Sequence, residues 1–483
     1  MKEKNLQEKV ISSTKWSTLT EVVARLVSPI TNMILARILV PEAFGVVATI
    51  TMITSFAEML SSAGFQKYLV QHEFKDDVEK HKHTNVAFIT NLGLSLLLWI
   101  IICIFNEPIA LLVGNPGLGH VIAIACIQLP LTAFSSIQMA LYRRSFDFKT
   151  LFIVKMIGIS IPIVITIPLA FFGLSYWALI IGTISMYFLN AFILTIKSEW
   201  KPKRFYDIEI LKEMLSFSMW SLIESISIWL TLWADVFIIG SLLNEYYLGL
   251  YKTSTIMVNA LMALVTASVI PILFSTLSRL QNDEFAFKKV FYKYQRIVAY
   301  CILPMGFGVF IYSDLATHIM LGEQWNQASK IIGIWALTSS LLITTSHFNS
   351  EVYRSKGNPK LSFISQLISL SFLIPTCLIS INYGFWALVY SRALIRLQSI
   401  ITGFIIMKFI MDFPIISTLK NISKPFLFTI TMTLLAMFLS RISDSTLWSF
   451  TSIVISAIFY ICLALLFAKD DVKSIKNVLK KNG

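Results

Sequence analysis

LVPEAFG at 39–45 returns 204 residues later as LNEYYLG at 243–249, and both segments sit in a break between two long apolar runs. Other pairs repeat at nearly the same distance. Trp16 and Trp220 are also 204 residues apart, Tyr142-Arg143 with Lys149 recurs as Tyr353-Arg354 with Lys360 at an offset of 211, and Trp177-Ala-Leu recurs as Trp386-Ala-Leu at 209. Self-similarity at a fixed long period marks an internal duplication. The apolar runs show what is duplicated. Stretches long enough to cross a hydrocarbon core of about 30 Å fall at 12–38, 43–65, 84–105, 118–142, 150–172, 176–197, 213–240, 248–278, 290–312, 328–353, 360–381, 385–408, 423–441 and 447–467, fourteen in all. Each matched pair holds the same place six spans apart. A six-helix shift preserves direction across a bilayer, so the sequence predicts two parallel six-helix repeats followed by two extra C-terminal helices.

Composition supports an all-α polytopic membrane protein: 56% of the 483 residues are hydrophobic and 14% are charged, against about 25% charged in soluble chains. The expected organisation is a cytoplasmic segment 1–11, an N-lobe 12–197, a linker 198–212, a C-lobe 213–408, helices 13 and 14 over 423–467, and a basic tail 468–483. The net charge of +13 need not indicate a nucleic-acid partner. Of the 40 Lys and Arg residues, 32 lie in the tails and loops on the side of the termini and four at most on the opposite side: Arg37, Lys252, Lys330 and Arg441. That asymmetry predicts both termini in the cytoplasm, because short loops retain positive charge on that side. Connections reach only about twenty residues, too short for an extramembrane catalytic domain. No cleavable signal is expected, since 1–15 is charged and runs straight into the first span. The five cysteines lie in apolar stretches without metal-ligand or disulfide spacing and read as small core side chains, so neither a cofactor nor a metal site is expected.

RILVPEAFGVVA at 37–48, SSAGFQ at 61–66, Tyr142-Arg143-Arg144 with Phe146 and Phe148-Lys149, and GEQW at 322–325 resemble the Wzx-type polysaccharide flippases and exporters. These form part of the multidrug/oligosaccharidyl-lipid/polysaccharide exporter superfamily, and the likeness is greatest to the colanic and teichuronic acid branch. The resemblance spans the whole chain. It implies two six-helix lobes around a central cavity and alternating-access movement of an undecaprenyl-diphosphate-linked oligosaccharide from the inner to the outer leaflet of the cytoplasmic membrane, with H⁺ or Na⁺ coupling and a polysaccharide polymerase as a partner. Surface polymers of the lipopolysaccharide, O-antigen or capsule type are the expected products. The extended arginine-rich signature of the lipid II flippases is not found in the first spans.

Ionisable residues at membrane depth are functional candidates because each is costly there unless paired or hydrated. Glu21 and Arg25 in span 1 are one turn apart, at a spacing that permits an ion pair, with Pro29 one turn further on. Arg392 and Arg396 in span 12 are also one turn apart, with no acid within a turn. They must meet water, an acid on another helix or an anionic substrate, and a guanidinium matches phosphate oxygens in a fork. Arg25, Arg392 and Arg396 are therefore the candidates for contact with substrate. Glu224, Thr231 and Asp235 share one face of span 7. With Glu58 and His347, the acids Glu21, Glu224 and Asp235 are candidates either for ion coupling or for pairing with the arginines. Lys155 is read as a snorkelling residue near the interface.

Two other functions fit parts of this pattern. A cation-coupled drug exporter of the same superfamily would carry acids rather than arginines at depth and would more often have twelve spans. A membrane-embedded glycosyltransferase or polymerase would need an acidic motif on a sizeable outer domain, and here the outer acids Glu42, Glu107, Glu245, Asp314, Glu323 and Asp444 are scattered through short turns.

Overall fold

The computed structural model describes residues 2–62 and 64–473, without side chains at 2–11 and 217–221. The Trp220 side chain and the tail from residue 474 onward thus lie outside what is described. Fourteen helices among those described are long and apolar enough to cross a membrane: Ser12–Ile38, Pro41–Ser62, Asp77–Ile104, Gly119–Arg144, Phe148–Phe171, Tyr176–Lys197, Leu222–Leu242, Glu245–Arg279, Glu284–Ile311, Ala328–Ser355, Lys360–Tyr383, Phe385–Phe409, Ile415–Ser440 and Thr446–Phe467. They are spans 1 to 14, and the protein is all-helical and multi-pass. The even count returns the chain to the face on which it started, called here the terminal face.

Local chemistry explains several helix starts. Spans 3, 5 and 9 and the helix Ile208–Leu242 that carries span 7 all begin on the terminal face with an aspartate cap. Asp76 accepts from the backbone N–H of Glu79 at 2.7 Å, Asp147 from Thr150 at 3.1 Å, Asp207 from Glu209 at 2.8 Å and Asp283 from Ala286 at 3.0 Å. Each cap satisfies a backbone donor that the first helical turn leaves open, and its negative charge suits the positive end of the helix dipole. Span 4 breaks at Cys126–Ile127, where Pro130 cannot donate to the carbonyl of Cys126, and span 10 at Ser346–Phe348, inside the polar run 344–351; the reading of each span as one continuous helix is corrected at both places. In span 5 the α-helix passes into a π turn at Pro162–Thr166, since proline cannot supply the N–H of a regular turn.

The chain forms two compact units, Met1–Lys252 and Thr253–Gly483. The boundary by packing therefore falls about two turns into span 8, whereas the sequence symmetry divides the repeats at 198–212. Three contacts explain why span 7 stays with the first six. The Trp229 indole N–H donates to Ser55 Oγ at 3.0 Å, its ring lies 4.8 Å from that of Phe56, and Met214 joins a core with Phe65, Leu69, Phe88, Ile137 and Trp200.

The turn after span 7 also meets the turn after span 1. A Cβ on Gly45 would overlap the carbonyl oxygen of Glu245, and one on Gly249 would overlap that of Pro41. Pro41 and Glu245 are 204 residues apart, as are the two glycines, so the repeats touch each other reciprocally through equivalent positions.

In the second unit, span 9 is central. Ala299, Leu303 and Phe307 pack with Ile422 of span 13, and Tyr300 lies with Phe428, Met432, Tyr460 and Ala464 of spans 13 and 14. A polar lock holds the terminal-face end of this group. Arg296 donates to Asp471 Oδ1 at 2.9 Å and to Asn421 Oδ1 at 2.7 and 2.9 Å, while the Tyr300 hydroxyl donates to Asp471 Oδ2 at 2.9 Å. Span 9 also approaches span 10 so closely at Gly306 that a Cβ there would overlap the side chain of Ser340. Gly306→Val is expected to force these helices apart at a cost of about 3 kcal/mol, read as a lower thermal midpoint of the purified protein in detergent. Cys126 and Cys377 are buried as expected, but Cys301 and Cys462 are exposed on the surfaces of their helices rather than in the core. An outward-facing position in a bilayer suits a small apolar thiol as well as the interior does.

Candidate functional site

The two arginines of span 12 do not rely on water or substrate alone, because the protein gives them an aromatic platform. The Arg396 guanidinium carbon lies 3.6 Å from the centre of the Trp335 ring and that of Arg392 lies 5.6 Å from it. Arg396 also donates to Ser339 Oγ. Trp335 and Ser339 are one turn apart on span 10, so one face of that helix supplies both the ring and the hydroxyl. Trp335 itself is 4% exposed and donates through its indole N–H to Asn259 Oδ1 at 3.4 Å. A cation over an indole face is stabilised by the ring's negative quadrupole. Stacking occupies the flat face of the guanidinium and leaves its N–H edge able to donate. The structure therefore adds Trp335, Ser339 and Asn259 to the candidates. One sequence signal for Trp335 existed: it lies seven residues inside its helix, away from the interfacial belt where membrane tryptophans usually sit.

The remaining candidates sort by surroundings. Glu21 and Arg25 form the ion pair their spacing allows, at 3.2 Å, and both are exposed on their helix, at 64% and 40%. Asp235 is buried. Its Oδ2 accepts from the Tyr251 hydroxyl at 2.6 Å and its Oδ1 from the backbone N–H of Val236 at 2.9 Å, so span 8 helps to satisfy this carboxylate. Glu224 is exposed rather than buried with it. Glu58 is half-buried, and among the described residues its carboxylate accepts no hydrogen bond. His347 does not lie deep in a continuous helix. It sits exposed at the break in span 10, with its ring edge-on to Phe348.

Two more features bear on a ligand. An apolar groove of about 510 Å³ runs between spans 9, 13 and 14, lined by Tyr300, Pro304, Gly308, Met432, Ala436 and Ala457. On the terminal face of the first unit, Tyr68 on the short helix Phe65–Gln71 donates its hydroxyl to Glu213 Oε1 at 2.8 Å and lies 3.1 Å from His83 Nδ1, with the His72 ring stacked 4.6 Å away. Burial, followed by the neighbouring Glu213 carboxylate, pushes the Tyr68 pKa up, so its O–H remains a donor. Since that single proton goes to Glu213, the contact with His83 requires the imidazole to donate. Tyr68→Phe is expected to remove about 1 kcal/mol and to free the helix that begins at Ile208, read as faster proteolysis in the 198–212 linker.

Residues 34–330 match the family model described as "Polysaccharide biosynthesis protein". The chain belongs to that family. Among curated relatives, the succinoglycan biosynthesis transport protein ExoT of Rhizobium meliloti (strain 1021) is 26% identical over 339 residues, 69% of this chain and 67% of that protein. The lipopolysaccharide biosynthesis protein WzxC of Escherichia coli (strain K12) is 20% identical, with 78% of this chain and 76% of that protein covered. The teichuronic acid biosynthesis protein TuaB of Bacillus subtilis (strain 168) is 20% identical over 89% of both chains. Among solved structures, the lipid II flippase MurJ in an inward closed conformation superposes with a TM-score of 0.78 at 18% identity, over 94% of this chain and 99% of that one. An inward-facing multidrug resistance MATE family transporter superposes at 0.59 and 14% identity, over 82% and 96%. At those identities the likeness shows the fold alone, and it is the fold expected from the fourteen spans and the duplication.

Proposed function

We propose that this polysaccharide biosynthesis protein transports a polyprenyl-diphosphate-linked oligosaccharide across the cytoplasmic membrane by alternating access, with the terminal face in the cytoplasm. The observation that carries the reading is the pair of stacked arginines, Arg392 and Arg396 on Trp335, within spans 12 and 10. A cationic drug would be repelled by this site. A diphosphate would be attracted to its N–H edges, which donate charge-assisted hydrogen bonds. The apolar groove along spans 9, 13 and 14 suits a polyprenyl tail, which needs no polar partners along its length. Family membership and the names of ExoT, WzxC and TuaB support a surface glycan as cargo. Asp235 and Glu58 are the proposed sites for a coupling H⁺ or Na⁺, since each places a carboxylate within a span.

Deletion of the gene tests the reading. The expected result is loss of a surface polysaccharide and accumulation of its lipid-linked repeat unit on the inner side of the membrane, reversed by the intact gene. Unchanged polysaccharide together with new sensitivity to cationic drugs would replace this reading with drug export.

A further inference from the structure

Arg143 and Arg354 hold equivalent places in the two repeats, at the terminal-face ends of spans 4 and 10, yet their surroundings differ. In the second repeat the arginine is neutralised. Arg354 pairs with Glu351 one turn earlier, and its guanidinium lies 5.6 Å from the centre of the Phe274 ring. The residue 211 positions before Glu351 is Ala140, so the first repeat has no acid at that place. Among the described residues, Arg143 reaches Gln66 Oε1 at 3.4 Å, near the outer limit for a hydrogen bond. It opens instead on a cavity of about 400 Å³ whose lining, among the described residues, includes Lys67, Gln66, Gln71 and Ser62 and no acidic side chain.

The next residue stiffens this cavity. Arg144 donates to the carbonyls of Leu69 at 2.9 Å, Val70 at 3.3 Å and His72 at 2.6 Å and lies 4.6 Å from the centre of the Phe74 ring. It thereby fixes the end of the helix Phe65–Gln71, which carries Gln66 and Lys67. Three other cations on this face have acids beside them, Lys80 with Asp77, Lys288 with Glu284 and Asp412, and Arg296 with Asp471, while Lys82 and Lys356 lie over the rings of Phe205 and Phe287. A positive-inside bias accounts for the number of cations here but not for an arginine that lacks the acid its repeat partner has and opens into a cavity.

We infer that this cavity is a binding site for a phosphate-type anion, with Arg143 as the forked donor and Lys67 as a point charge across from it. The inference rests on the transport reading for the placement of this face in the cytoplasm, and it adds a first docking site for the diphosphate of the substrate. The phosphate of an anionic bilayer lipid offers the same chemistry, and the test separates the two sources.

Purified protein in phosphatidylcholine nanodiscs is titrated with farnesyl diphosphate as the probe. The variant Arg143→Gln with Lys67→Gln is expected to bind about tenfold more weakly than the native chain, a loss of about 1.4 kcal/mol. Both side chains are exposed, and the charge-preserving variant Arg143→Lys with Lys67→Arg should retain most of the binding. The titration is repeated in discs containing phosphatidylglycerol. Unchanged affinity assigns the site to the diphosphate, and affinity lowered toward that of the double variant assigns it to bilayer lipid; either result supports a phosphate site. Equal binding by the native chain and the neutralised variant overturns it. Because the readout is binding, normal glycan export with no effect of Arg143 on the probe would remove this inference alone. Arg143-dependent binding in a chain whose deletion leaves the glycan unchanged would remove the transport reading alone.

Discussion

Arg396→Ala is expected to lower surface polysaccharide at least tenfold while the lipid-linked repeat unit accumulates inside, without loss of the protein from the membrane. The substitution removes a guanidinium 3.6 Å from the Trp335 ring together with its hydrogen bond to Ser339. A cation–π contact at a half-buried site contributes about 1–2 kcal/mol, and a charged hydrogen bond about 1.5–3 kcal/mol. If a comparable part of that interaction goes to substrate phosphate, about 1.4 kcal/mol already corresponds to the tenfold change. Arg396→Lys distinguishes charge from shape. It keeps the positive charge but loses the planar group that stacks and donates along an edge, so it should restore less than half of the export. Trp335→Ala should resemble Arg396→Ala, because it removes the surface that orients both arginines. Normal export by Arg396→Ala at native protein levels would end the assignment.

Gly45→Val is expected to disrupt the protein more broadly. The clash is with the carbonyl of Glu245, part of a backbone that no rotamer change can move aside, so the turns at 39–45 and 243–249 must separate. Gly249→Val should have the same effect through Pro41. Overpacking of this kind costs about 1–3 kcal/mol and can exceed that where backbone is the obstacle. Both variants should lose export and show a lower thermal midpoint. In addition, a cysteine pair placed at Glu42 and Tyr246 should cross-link in the native chain and fail to do so in either variant. Cross-linking retained in Gly45→Val would show that the turns can accommodate a side chain and that the contact is not a tight one.

The fourteen spans were legible because bilayer thickness imposes a length on every apolar run, whatever the residues within it. Helix interruptions were harder to see. Proline marked the π turn at Pro162, and Pro130 and the polar run 344–351 stand beside the breaks at Cys126 and Ser346, but proline and polar residues also occur in unbroken transmembrane helices, as Pro271 does, so the letters alone do not separate the two cases. Short-range chemistry read well, as in the Glu21–Arg25 pair. Long-range chemistry did not. The partner of Asp235 is Tyr251 on the next helix, and the platform for Arg396 is Trp335, 61 residues away on span 10. Arginines at that depth can be met by water, an acid, an anion or the face of an aromatic ring, and a ring on another helix leaves no mark in the local spacing.

The reciprocal contact at the two glycine turns also bears on how such a chain arose. Pro41 meets Gly249 and Glu245 meets Gly45, which is the pattern two copies of one six-helix chain would make across a twofold axis, the same patch facing itself. A single ancestral glycine would have served both halves of that contact. Once duplicated, the two copies were free to diverge around that shared contact, as Ala140 and Glu351 have.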